Sequence, residues 1–301
     1  MKKLTTLLYG LALAFVMAAC AEKPNADSSA EEWIPLFNNK DLTGWDIKIA
    51  HHDLNDNFKN TFHVEDSILK IDYTGYDKFE GEFGHLYYQQ PFSYYRVRLQ
   101  YRFGKKQLQG GPDYAYLNSG VMLHSQSAAS LSKHQSFPVS LEMQFLGSND
   151  SIQQHTGNLC TPGTEVFQHG EIVTAHCTDS KSRNYNENEW VTIEAVVLGD
   201  SIIHHILGSD TVLTYEHLRV GGGFVNTEMN WTTGGFAADS TQWIAKQGAP
   251  LMEGYIALQA ESHPLEFRKV ELLNLKGCTD PKALNYKSYF VKSDNSKCRY
   301  K

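Results

Sequence analysis

The stretch Ser136–Leu146, SFPVSLEMQFL, holds a carboxylate where a carboxylate can do chemistry. Strand side chains alternate between faces, so Val139, Leu141, Met143 and Phe145 share one face and Ser140, Glu142 and Gln144 the other. The first set reads as a core face; the second is polar, one acid beside an amide. Burial of such an acid disfavours its charged form and raises its pKa, which suits it to take a proton at neutral pH. Alternation puts His124 on the non-core side of SGVMLHSQ, and Glu261 shares a face with Gln259 and Tyr255 in GYIALQAES. An imidazole, with an unperturbed pKa of about 6.5, can give or take a proton. If these strands are neighbours in one sheet, their polar faces line one groove. A pair of catalytic acids on a single strand would need a second acid at i+2 or i+5 from Glu142. Those positions hold Gln144 and Gly147, so a partner acid would have to come from another strand, Glu261 being the obvious candidate.

The elements that must position these residues are strands. YYRVRLQYRF (Tyr94–Phe103) alternates strictly, with Val97, Leu99, Tyr101 and Phe103 inward and Arg96, Arg98, Gln100 and Arg102 outward. WVTIEAVVLG sets Val191, Ile193, Ala195 and Val197 on one side, and SIIHHILG follows after a hairpin turn at Gly199-Asp200. Gly254–Ser262 and Leu265–Leu275 read as a further antiparallel pair around His263-Pro264. Only two short helices are predicted, near Ser127–Lys133 and Asp239–Lys246. Many short antiparallel strands with Gly- and Pro-containing turns predict an all-β sandwich or jelly roll, and no internal repeat is present.

The first twenty residues, MKKLTTLLYGLALAFVMAAC, read as an export leader: a basic start, an apolar run and a small-residue pair before Cys20. A cysteine there resembles the acceptor of a bacterial lipoprotein, which predicts lipidation at Cys20, a flexible tether over 21–32 and an exported protein anchored by lipid, facing the periplasm or the cell surface. The chain has 27 basic against 34 acidic side chains with no basic cluster, which argues against nucleic acid as a partner. The other four cysteines, Cys160, Cys177, Cys278 and Cys298, allow three pairings in an oxidising compartment. The local one, Cys160–Cys177 and Cys278–Cys298, closes two short loops, each stabilising by about 3 kcal/mol in the chain-entropy account. A zinc site lacks CxxC spacing. Residues 276–301, GCTDPKALNYKSYFVKSDNSKC and its flanks, are polar and Cys-bounded; they resemble a short C-terminal module of exported Bacteroidetes proteins and are expected to form a small stapled appendage.

Several segments between residues 33 and 275 together resemble the 3-keto-disaccharide hydrolase family. IPLFNNKDLTGW (Ile34–Trp45), NSGVMLHSQ (Asn118–Gln126), PVSLEMQFLG (Pro138–Gly147), HTGNLC (His155–Cys160), NEWVTIEAVV and LQAESHPLEFRKVEL (Leu258–Leu272) are similar to its motifs and keep their order. His124 stands where many members have arginine, and Glu261-Ser262-His263 replaces a simpler His-Gly. The resemblance implies a concanavalin A-like β-sandwich and cleavage of glycosides already oxidised to a ketone at C3, by elimination or net hydrolysis. The ketone acidifies the C2 hydrogen, so one base suffices. On this reading Glu142 is the base, with His124 and His263 as acid or oxyanion partners; Asn118, Gln144, His155, Asn158 and Glu261 contact the small carbohydrate substrate. Trp231 and Trp243 either flank the groove or sit in the core. A divalent cation held by His124, Glu142 and His263 would polarise the ketone, an option the spacing leaves open. Two other readings stand beside this one: a carbohydrate-binding sandwich without catalysis, and a conventional glycosidase using Glu142 with Glu261.

Overall fold

The alternation of Tyr94–Phe103 becomes a ten-residue strand in which every second side chain is buried. In the computed structural model, which describes residues 28–222, 231–232 and 234–301, this strand runs through the middle of one of two stacked antiparallel sheets. Its sheet is ordered 171–172, 164–168, 210–220, 202–207, 191–198, 94–103, 265–274, 68–71, 62–65, with 34–35 on the far side of 265–274. The second sheet is ordered 177–178, 158–160, 141–146, 118–125, 255–260, 84–88, 45–49. The inner faces meet in one core containing Val97, Leu99, Val121, Leu141, Met143, Phe145, Ile193, Leu258 and Phe267. The fold is the expected all-β, concanavalin A-like sandwich. The leader, Cys20 and the tether up to residue 27 lie outside the described residues. Among the described residues no helix is long and apolar enough to cross a membrane.

The predicted hairpin at Gly199-Asp200 is present, joining Val191–Leu198 to Ile202–Leu207. The predicted pairing of Gly254–Ser262 with Leu265–Leu275 is not. Tyr255–Ala260 pairs with Gly84–Tyr88 and Asn118–Ser125 in one sheet, whereas Leu265–Asn274 pairs with Tyr94–Phe103 in the other. Both strands alternate well enough to serve either sheet, and the four residues Glu261–Pro264 carry the chain across the sandwich instead of turning it back. Ser262 takes a left-handed φ of 72° there, and its backbone is held on both sides. Its N–H donates to the Tyr73 hydroxyl at 2.9 Å and its carbonyl accepts from Leu108 N–H at 2.9 Å. This crossover delivers Glu261 to the edge of the second sheet's outer face.

The outer face of the first sheet is paired off. Arg96 bonds Glu194, Arg98 bonds Glu271 and Arg102 bonds Glu266, while the Arg98 and Arg102 guanidinia lie over Trp33 and Trp190. Both predicted disulfides form, Cys160–Cys177 between neighbouring strands and Cys278–Cys298 across the C-terminal appendage. The described end of the expected tether is held: Glu31 bonds Arg96, and Glu32 pairs with Lys287 of the appendage.

Candidate functional site

Strands Leu141–Leu146, Asn118–Ser125 and Tyr255–Ala260 lie side by side, so the residues that alternate away from the core gather on one outer face. That face holds a cleft of about 320 Å³ lined by Tyr114, Asn118, Glu142, Gln144 and Glu261, with Phe137, Pro162, His176 and the Cys160–Cys177 disulfide as a wall. Glu142 is not a surface acid: it is 5 % exposed and its Oε1 is buried with no hydrogen-bond partner. The sequence makes room for it. A Cβ on Gly120, in the neighbouring strand, would stand 2.5 Å from Glu142 Oε1 and 2.8 Å from its Cγ, so the carboxylate lies over a glycine. Glu261 enters from the crossover and is 3 % exposed.

Two buried carboxyls facing one cleft cannot both be charged cheaply. Burial pushes Glu142 up to about 8. Burial and the negative charge of Glu142 raise Glu261 well above the usual carboxylate range. At neutral pH the pair therefore retains protons that exposed glutamates have lost, and it titrates as a unit in which Glu261 is the more reluctant to ionise. Tyr114 stands at the mouth, its side chain largely exposed; desolvation and the Glu261 charge push its phenol up to about 12. The amides form a chain along the floor. Asn158 donates to Gln144 (3.4 Å), Gln144 to Asn118 (3.3 Å), and Asn118 to the Tyr114 carbonyl (3.0 Å).

Four residues read from sequence thus line the cleft: Glu142, Glu261, Asn118 and Gln144. Asn158 stands behind Gln144, its Oδ1 accepting from Ser180 N–H, and acts by orienting that amide. The histidines do not arrive. His124 was expected on the polar face, but it falls at a register shift with φ 49°, which turns its ring to the other side. There it is 1 % exposed, its Nε2 donates to the Gly199 carbonyl, and burial lowers its pKa to about 4. His263 accepts from Leu117 N–H at Nδ1 and donates from Nε2 to the Gly104 carbonyl. Both its nitrogens are used by backbone, and the ring staples the crossover. His155 bonds the Ser182 carbonyl, outside the cleft lining. His124, Glu142 and His263 do not converge as a ligand set. Trp231 and Trp243 stack on each other in a small core cluster with Val139 and Phe236, not along the cleft.

The profile of the 3-keto-alpha-glucoside-1,2-lyase-like domain matches residues 32–273. The chain belongs to this family. It is a carbohydrate-active domain of the hydrolase or lyase kind. No curated protein matches it by sequence. Among solved structures it is similar to two glycosyl hydrolase candidates from Parabacteroides distasonis. One is 15 % identical with a TM-score of 0.47, covering 81 % of this chain and 100 % of that one; the other is 16 % identical with a TM-score of 0.44, covering 81 % and 94 %. It is also similar to the carbohydrate-binding module CBM66 of Bacillus subtilis, at 8 % identity and a TM-score of 0.39, covering 83 % and 100 %.

Sequence reasoning on this lyase-like domain missed Tyr114, Phe137 and Pro162, all carried on connections where no periodicity announces a face. It also passed over His85. GHLYY (Gly84–Tyr88) sets His85 and Tyr87 on the outer face of the second sheet, and the pairing of His85 with Gln259 follows from the register. Alternation alone could have flagged His85. Among the described residues the one cluster of potential metal donors is Cys160, His176 and Cys177, and its two sulfurs are committed to the disulfide.

Proposed function

We propose that this domain cleaves 3-keto-glycosides by removing the C2 hydrogen, with Glu142 as base and Glu261 as the acid that protonates the departing oxygen. The observation that carries the reading is the pair of buried carboxyls on one cleft, Glu142 raised to about 8 by burial and Glu261 raised well above the usual carboxylate range by burial and the Glu142 charge. A base abstracts a carbon-bound proton better as its own pKa rises toward that of the carbon acid, and a ketone beside C2 lowers the latter into reach. The C2–H bond breaks and its proton goes to Glu142. The electron pair enters the C3 carbonyl as an enolate, then returns to form the C1–C2 double bond as the C1–O bond breaks. The leaving oxygen takes the Glu261 proton. The product is an unsaturated 3-keto-sugar, which water can convert to the free 3-keto-sugar. Gln144 and Asn118 present amides to hydroxyl groups, and Tyr114 offers a ring at the mouth for a sugar face.

The acid role moves from the histidines to Glu261, since both ring nitrogens of His263 are bonded and His124 faces the opposite side. The presence of two cleft carboxyls also favours a second reading, the conventional glycosidase. That mechanism keeps one carboxylate ionised in a polar setting as nucleophile or base toward water, whereas here both are raised by burial. Incubation with a disaccharide oxidised at C3 and with its unoxidised parent separates the two. Cleavage of the ketone alone is expected; equal cleavage of both would move the assignment to a glycosidase. The pH profile of kcat/KM on the ketone is expected to fall tenfold per unit as pH drops below about 8, because Glu142 must be ionised to act, and to fall again at higher pH where Glu261 loses its proton.

A further inference from the structure

Next to Glu142 the outer face of the second sheet hides a row of polar atoms that the cleft chemistry does not use. Glu142 Oε1, both amide atoms of Gln259, and His85 Nε2 are buried without hydrogen-bond partners. Gln259 and His85 are each 1 % exposed. Such atoms are rare in folded proteins and costly, so several of them side by side call for an explanation.

Their placement supplies one. Gln259 is directly opposite His85 across the Tyr255–Ala260 and Gly84–Tyr88 strands. On its other side Leu258 is opposite Val121, and continuing that register sets Gln259 opposite Gly120. Glu142 Oε1 occupies the space where a Gly120 Cβ would meet it. Directly opposed positions place Cβ atoms about 5 Å apart, within reach of an extended glutamine amide. The donors and acceptors of these three side chains can then pair in order. An amide offers one acceptor and one donor end, a carboxylate accepts, and a neutral imidazole protonated at Nε2 donates. His85 is kept neutral, its pKa lowered to about 3 by burial and by the nearby Lys48 charge.

We propose that His85, Gln259 and Glu142 form a hydrogen-bond relay that closes when Glu142 ionises: His85 Nε2–H donates to Gln259 Oε1, and Gln259 Nε2–H donates to the Glu142 carboxylate. Gln259 and His85 are positioning residues. They hold the carboxylate over Gly120, aimed at the cleft, and favour its charged form against the surrounding burial. The remaining titratable groups facing Glu142 are Glu261 and Tyr114 on the cleft and His176 beside the disulfide, with Lys48 behind His85. Burial pushes the Glu142 pKa up, and the hydrogen bonds of the relay pull it down.

The relay rests on Glu142 being the base, and its test reads Glu142 directly as well as through turnover. The full chain carrying Gln259→Met, His85→Phe or both is compared with the parent, with Gln259→Asn, an amide too short to reach, as a second variant should Met disturb folding. The ionisation of Glu142 is followed by the infrared carboxyl band that Glu142→Gln removes, and the pH profile of kcat/KM is followed on the 3-keto-disaccharide. Gln259→Met is expected to move both the band titration and the low-pH limb upward by about one unit, with His85→Phe moving them less in the same direction. In a relay the double variant titrates like Gln259→Met alone. A Glu142 titration that stays within about 0.2 unit of the parent in folded variants, or shifts that add in the double variant, overturns the relay. If the parent cleaves no ketone while the band still shifts as expected, the proposed activity falls and the relay stands.

Discussion

Replacing Glu142 by glutamine is expected to lower kcat on a 3-keto-disaccharide by about 10³-fold while making the protein more stable at pH 8. The two halves have one cause. Glu142 is a carboxyl held in a buried cleft with an unsatisfied oxygen, and its folded pKa of about 8 lies above the 4.5 of an exposed glutamate. Below pH 4.5 the carboxyl is protonated in both folded and unfolded chains and costs nothing through ionisation. Between 4.5 and 8 the unfolded chain releases the proton and the folded one does not, so stability is lost steadily as pH rises through that window. Glutamine has no proton to lose. The variant should gain on the order of 4 kcal/mol at pH 8, with the gain fading below pH 4.5. Thermal unfolding at both pH values, measured beside turnover, checks the pair of effects. A variant that is inactive but less stable at pH 8 would point to lost packing, not a lost base.

The second large effect removes no ionisable group at all. Gly120→Ala puts a methyl 2.5 Å from Glu142 Oε1 and 3.0 Å from its Cδ. Those contacts are with the far end of a flexible side chain, and Gly120 is paired with Gln144 within a regular ladder. The fold should accept the methyl by letting the carboxylate swing away. Activity is expected to drop by about 10²-fold with a change in unfolding midpoint of only a few degrees, since misplacing a catalytic group by about 1 Å is enough for such a loss. Steady-state kinetics with a thermal melt distinguish this from general destabilisation. Retention of full kcat in Gly120→Ala would mean that the carboxylate position over the glycine is not the working one.

Most of the architecture was legible because alternation is a strong signal. Tyr94–Phe103, Leu141–Leu146 and Val191–Leu207 follow it residue by residue, and the two disulfides follow from local loop closure. The failures share a cause: long-range connection and local irregularity leave no periodic trace. Leu258–Leu272 looks like two strands and a turn, and nothing in its pattern says that the second strand joins the opposite sheet. His124 obeys the alternation on paper, yet one extra residue at the register shift with Tyr255–Ala257 rotates it out of the face. The site residues recovered from sequence, Glu142, Gln144, Asn118 and Glu261, lie on regular strands or one step beyond a strand end. Tyr114, Phe137 and His176 arrive on connections whose course depends on the whole sandwich. The second carboxyl of the cleft comes from another strand's end, at Glu261, the candidate that the absence of a second acid on Leu141–Leu146 had pointed to.

The most direct measurement of the central claim is where the C2 hydrogen goes. The protein is incubated in deuterium oxide with a disaccharide oxidised at C3, and the products are read by mass spectrometry and proton resonance. Removal of that hydrogen by Glu142 predicts an unsaturated 3-keto-sugar, or after hydration a 3-keto-sugar carrying deuterium at C2. A 3-keto-sugar released with its original C2 hydrogen in place would contradict the account.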